Sequence, residues 1–361
     1  MNCILTRPSS DITHNTRAPR VITQATYRGA FTRRLSTSLI RVMFAFFAAH
    51  RLWPTVDTLI KNSTKFNTQK TYVSVQHQYI SFCEQNKLVA IPAAEATVLL
   101  FIAFLHNDRN IKGQSISCYV SAIRHMHVIN GFNFPSESYR IIAAIKGAKS
   151  LSGPPIRKKP ITLDILTTMC ELADKRDDKD MIKAVMSTLF FGCLRAGELC
   201  VQDGTFFNRK LNVSIDDVTF FHQKEYFVLH LKRSKTDTYN HGVDIYIGCS
   251  KKGICAYCFM RAYMSSIPHT ISRSSALFTH HEGLPLSKSY FISASKLLIS
   301  QMGLDTSQYS GHSYRAGAAS SAAISGFSEW ELKLFGRWQS NIYSIYLRKP
   351  ELVASFAQKI K

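Results

Sequence analysis

Acidic residues are scarce in this chain, with 24 Asp and Glu against 45 Lys and Arg over 361 residues and a formal net charge of +21. A deficit that large leaves a broad positive potential and favours polyanionic partners, nucleic acid first and an anionic membrane surface second. No run of eighteen apolar residues occurs, so no membrane span is expected. VMFAFFAA stops at His50, and ATVLLFIAFL, residues 96–105, is too short and reads as a buried helix. The nine cysteines are an odd number in a chain of ordinary size, which speaks against a secreted disulfide scaffold and for a reducing, intracellular setting. There is no Gly-rich phosphate loop followed by lysine, no dense carboxylate cluster suited to two-metal catalysis, and no internal repeat.

What is present begins with a hydrophobic content of 45%, enough for a folded protein, and a length that suits two domains. Met1 to Asp57 holds eight arginines, two aspartates and no glutamate. That composition fits a presequence, a flexible basic arm, or a stretch without a folded role. We expect residues 1–65 to be a basic, flexible segment. From Thr71 a helical period takes over, with Tyr72, Val75, Tyr79 and Phe82 on one stripe. Three further helices follow: one with Pro92 near its start, one stopped by Gly131, and one with Ser136 as its candidate cap. Residues 66–152 thus read as an all-helical domain, decorated by Lys112, Arg124, Lys146 and Lys149. The stretch GPPIRKKPIT, 153–162, reads as a linker that carries Arg157, Lys158 and Lys159.

Residues 163–361 read as a second domain. Two helices open it, the second drawn as running on through GCLRAGEL. The period then changes from 3.6 to 2 over DDVTFF, EYFVLHLK and VDIYIG, which predicts a small antiparallel sheet inserted among helices. Helices return afterwards, one with a capping box from Ser328 to Glu331. The fold class expected is mainly α with a small antiparallel β-sheet.

Three groups in this domain carry chemistry. Arg195 lies in an apolar run with Glu198 three residues on, either a structural ion pair or an arginine held to clamp an oxyanion. His312 and Arg315 are at i and i+3, on one face of a helix whose AGAASSAA run lets a neighbouring backbone come close. Lys235 falls near the tip of a hairpin, beside Arg233, where a lysine alone is usually only solvated. Two tyrosines, Tyr343 and Tyr346, follow Trp338. Two arginines, a histidine, a lysine and a tyrosine are the set that phosphodiester transfer without a metal needs. Guanidiniums neutralise the phosphoryl oxygens, a tyrosine attacks, a cationic lysine protonates the leaving oxygen and an imidazole relays the nucleophile's proton.

These boxes, in this order, resemble those of the tyrosine recombinases, the phage-integrase-type enzymes. Arg195 with Glu198 is similar to the family's R-x-x-E/D element, Lys235 to its hairpin lysine, and His312 with Arg315 to its H-x-x-R box. Trp338 in GRW is similar to the His or Trp that bonds the phosphate. The nucleophile in the family commonly stands nine residues beyond that position; Tyr346 is eight beyond and Tyr343 five. YLR at Tyr346 resembles the Cre-like proteins, and WQSNIYSIY resembles the recombinases of Crypton and DIRS-type elements. The resemblance implies Tyr346 as nucleophile, with Tyr343 packing or positioning. It also implies a helical core-binding domain joined to a catalytic domain, a clamp on double-stranded DNA, a homo-oligomer that is tetrameric during synapsis, and no cofactor. A nuclear setting is implied if the source is eukaryotic. A type IB topoisomerase shares the chemistry but matches the HSYRAGAA and GRW elements less well.

Cys249, Cys255 and Cys258 follow a C-x5-C-x2-C spacing. Free thiols and no metal are the expectation; zinc is the alternative and needs a fourth ligand, from His222, His241 or a distant residue.

Overall fold

A computed structural model describes residues 52–154, 157–234, 241–251, 253–280, 282–341 and 344. The fold class is as expected: mainly helical, with one small antiparallel sheet. The chain divides into two compact units between Pro154 and Pro155. Among the described residues no helix is long and apolar enough to cross a membrane.

The first unit contains α1 (Trp53–Asn62), α2 (Phe66–Gln85), α3 (Glu95–Asn107), α4 (Gly113–Ile129) and α5 (Tyr139–Leu151). Its core joins Tyr79 and Phe82 of α2, Phe101 and Leu105 of α3, Ile116 and Ile123 of α4 and Ile141 of α5. Three of the four α2 stripe residues are buried, while Tyr72 is half-buried against the His125 ring. Two details differ from expectation. Part of the segment expected to be flexible forms α1, started by Pro54 in its first turn, and none of its residues is buried. The cap of α5 is Ser138, which accepts from Ile141 N, rather than Ser136.

The second unit is built on α6 (Leu163–Ala173) and α7 (Lys179–Phe191), then the single-turn α8 (Ala196–Leu199). Strands β1 (Val218–Phe221), β2 (Tyr226–Leu231) and β3 (Val243–Gly248) follow, and then α9 (Ala256–Ser266), α10 (Lys288–Gln301), α11 (His312–Ile324) and α12 (Glu329–Gly336). The strands pair antiparallel in the order β1-β2-β3, with Phe227 opposite Ile247 and Leu229 opposite both Val218 and Ile245. Period-2 alternation buries Phe227, Leu229 and Leu231 in a core shared with Ile182, Val185 and Leu189 of α7. The predicted capping box of α12 is present, with Ser328 and Glu331 exchanging bonds.

The small-residue run of α11 does what its composition predicts. A Cβ at Gly317 would lie 1.7 Å from the Ile161 carbonyl oxygen, so only glycine admits that strand of backbone. Residues expected to form a plain linker are stitched down at this point. Lys158 Nζ donates to Ser307 O, Lys159 N to Gln308 O, and Ile161 N to Ser313 O, with Ile161 fully buried.

One difference matters for the site. The helix drawn through GCLRAGEL stops at Phe191. Cys193 takes a left-handed φ of +48°, its N–H reaches Phe190 O, and Leu194 N reaches Leu189 O. This is a Schellman ending, with cysteine where glycine is usual. Arg195 therefore does not end the long helix; it caps the next short one.

Candidate active site

The α12 terminus repeats the ending of α7. Arg337 takes a φ of +54°, its N–H bonds Leu334 O, and Trp338 N bonds Lys333 O. The turn that ends α7 and the last residue of α12 thus present Cys193 O and Gly336 O to one place, and α11 supplies the cation between them. Arg315, fully buried, donates Nη1 to Cys193 O and Nη2 to Gly336 O. The carbonyl end of α12 favours a positive charge there. Trp338 covers the guanidinium with its ring, 4.6 Å from Cζ. The ring rests on Gly336, where a Cβ would come within 1.8 Å of it.

Arg195 is held differently. Its backbone N–H donates to Glu198 Oε2 at 2.9 Å and its Nη1 to Glu198 Oε1 at 2.9 Å. The arginine side chain keeps 22% exposure while the carboxylate keeps 7%. The same carboxylate accepts from Arg337 Nη2 at 3.1 Å, and that nitrogen also lies 3.4 Å from Cys193 O. Arg337 was not among the residues singled out from the sequence. Its signal was its place in GRW, between a glycine and a tryptophan that both have packing duties.

Among the described residues, three guanidiniums and one carboxylate leave the site with a surplus of positive charge. Burial first, then the Arg195 and Arg337 charges, pull Arg315 down to about 10, so it remains a cation at neutral pH. Burial likewise lowers Arg337, and it raises the Cys193 thiol to about 11, which keeps that thiol protonated and inert. Arg315 Nε and Arg337 Nε and Nη1 are buried without a hydrogen-bond partner among the described residues. Buried donors ordinarily find acceptors.

Arg195, Glu198, Arg315 and Trp338 are brought together here. His312 stands at the exposed first turn of α11. The Gly311 backbone beside it lies against Ala196, 3.0 Å from its Cβ to a Cβ built on the glycine, which puts the start of α11 over the short helix that Arg195 caps. One turn separates His312 from Arg315, yet one is exposed and the other sealed, because the α7 and α12 termini close over the second only. Lys235, Tyr343 and Tyr346 lie outside the described residues. Arg233 is exposed just beyond β2; Lys112, Arg124, Lys146 and Lys149 are exposed in the first unit, as are Arg157, Lys158 and Lys159 before α6.

No protein-family profile matches the chain. An integrase/recombinase XerD homolog from Selenomonas ruminantium is 26% identical over 277 residues, which cover 73% of this chain and 76% of the relative. Among solved structures, the Tn1549 transposon integrase in complex with transposon right-end DNA superposes with a TM-score of 0.56 at 13% identity, over 82% of this chain and 93% of that one. A lambda integrase dimer bound to a core site gives 0.55 at 15% identity, over 83% and 95%. The XerH site-specific recombinase in a post-cleavage complex gives 0.54 at 15% identity, over 81% and 80%. The chain has the tyrosine-recombinase fold. Within that fold the second unit supplies the arginine wall.

Proposed function

We propose that the chain is a site-specific DNA recombinase or integrase that cuts and rejoins double-stranded DNA through a 3′-phosphotyrosine, and that a mobile element of the Crypton or DIRS type encodes it. The observation that carries this reading is the wall of Arg195, Arg315 and Arg337. Among the described residues it is overcharged, braced by a single carboxylate, and holds buried N–H groups without acceptors. A scissile phosphate is the anion that fits such a wall. In the reaction, the Tyr346 phenol oxygen attacks phosphorus and its proton passes to His312. The bond from phosphorus to the 5′ oxygen breaks as Lys235 protonates that oxygen. Arg195 and Arg315 neutralise the phosphoryl oxygens, with Trp338 holding Arg315 in place. Rejoining reverses the steps with a new 5′ hydroxyl. Exposed Lys112, Arg124, Lys146, Lys149, Arg157, Lys158, Lys159 and Arg233 suit contacts with the DNA backbone. A tetramer on DNA agrees with the lambda integrase tetramer bound to a Holliday junction, and work on chromosomal DNA places a eukaryotic form in the nucleus.

A second reading has one observation in its favour. Both terminal nitrogens of Arg315 are already committed to carbonyls and the side chain has no exposed surface, which suits a DNA-binding protein that keeps the fold and no longer cuts.

The two readings part on a covalent adduct. Duplexes selected for binding from a random pool, then nicked to trap the intermediate, are expected to yield a protein–DNA adduct with the native chain and with Tyr343→Phe, and none with Tyr346→Phe. Binding without any adduct from the native chain selects the second reading. An adduct that survives in Tyr346→Phe and disappears in Tyr343→Phe reassigns the nucleophile.

A further inference from the structure

At the end of β3 the chain reverses and enters α9, and three thiols meet at that corner. Cys249 follows the last strand residue, Cys255 caps the helix, and Cys258 lies in its first turn. Their sulfurs all lie within 4.8 Å of one another, with Cys249 and Cys255 at 3.4 Å. The turn between them is built to close. Lys251 and Gly253 take left-handed φ values of +59° and +60°, and Ser250 Oγ donates to Ile254 O at 2.8 Å. The corner is anchored behind, where Cys249 N donates to Glu225 O at 2.7 Å.

We infer that Cys249, Cys255 and Cys258 form a binding site for one thiophilic divalent cation of the zinc type, held by three thiolates with the fourth position open to water or an external ligand. Zinc–sulfur bonds of about 2.3 Å set tetrahedral sulfur–sulfur edges of roughly 3.8 Å, so the thiols already stand within about an ångström of ligation. Among the described residues no further Cys, His, Asp or Glu joins the set. His222, a candidate fourth ligand on sequence grounds, instead directs Nδ1 to the Tyr257 hydroxyl at 3.1 Å. Accessibility is graded as an entry path requires: Cys255 is buried, Cys249 half-buried and Cys258 exposed. Structural zinc usually has four protein ligands, and three is the set that leaves a coordination position free. An ion here ties the residue that follows the last strand to the first turn of α9.

The test uses the full chain, reduced and freed of metal, and titrated with cobalt(II) and then zinc(II). One cobalt per chain is expected, with thiolate charge-transfer and tetrahedral absorption that zinc abolishes. Alkylation of Cys249, Cys255 and Cys258, mapped by mass spectrometry, should slow by at least about tenfold when zinc is present, because the bound thiolate is no longer free. Exposed Cys118 should react equally with and without metal and serves as the internal control. Absence of the thiolate absorption in folded, reduced protein overturns the inference. So does equal protection of Cys118, or unchanged metal uptake in Cys255→Ser with Cys258→Ser. The alkylation arm needs no variant and stands even where a substitution unfolds the corner.

Discussion

Arg195 and Arg315 both border the Cys193 turn and both sit at a helix end, but they face opposite physical problems. Arg195 stands at the start of a helix, is partly exposed, and owes its position to a carboxylate that also caps its own backbone. Arg315 is sealed inside, meets no carboxylate among the described residues, and is held by carbonyls of the turn after α7 and the end of α12. The first arrangement presents a charge to whatever approaches. The second uses a charge to gather two helix termini, and only its unpartnered Nε is left for a visitor. A wall of like charges can therefore contain one member whose main work is structural and another whose main work is display.

The largest test of that contrast is Arg315→Met, which keeps much of the volume and removes every donor. Gly336 O loses its side-chain donor and Cys193 O is left with the long contact from Arg337 Nη2, and a loss of roughly 3 kcal/mol in stability is expected, read by urea unfolding through tryptophan fluorescence. A loss no greater than that of an exposed arginine would show that Arg315 is not a keystone, and the contrast with Arg195 would fall.

The same contrast explains what was legible beforehand. The change of period from 3.6 to 2 located the sheet, and its alternation located the buried face, because a strand's side chains obey their own spacing. The R-x-x-E spacing found the Arg195–Glu198 pair, since residues three apart in one turn are neighbours. The end of α7 was hidden because cysteine occupies a left-handed position that sequence reading reserves for glycine, within the unbroken apolar run FFGCL. Arg315 was hidden in a different way. An i, i+3 relation says that two side chains share a helix face, but the covering of that face comes from α7 and α12, far away in sequence. Arg337 was missed for the same reason, as its value depends on a carboxylate 139 residues earlier. Gathering of the three thiols likewise rests on two left-handed residues in the turn, which spacing alone does not announce.

Glu198 links the two halves of the comparison, since it accepts from both Arg195 and Arg337. Glu198→Gln keeps the shape and removes the charge, leaving the buried Arg337 cation without its counter-ion. A cost of about 2 kcal/mol is expected, smaller than that of Arg315→Met because amide oxygen still accepts one bond. Its signature is a stability loss accompanied by weaker DNA adduct formation, because Arg195 loses its brace as well. Loss of stability with full adduct formation would confine Glu198 to the fold and detach it from Arg195.

The smallest stability effect is expected where the functional effect is greatest. In Arg195→Ala the backbone N–H still donates to Glu198 Oε2, so the cap on α8 survives. What disappears is a partly exposed ion pair, worth about 1 kcal/mol or less. Yet the same change removes the most accessible guanidinium from the wall, and adduct formation on a trapping duplex should fall on the order of a hundredfold while DNA binding, spread over many phosphate contacts, changes little. Stability and chemistry thus move in opposite order across the two arginines. Should Arg195→Ala cost as much stability as Arg315→Met, display and gathering would not be separate duties, and the wall would have to be regarded as one cooperative block.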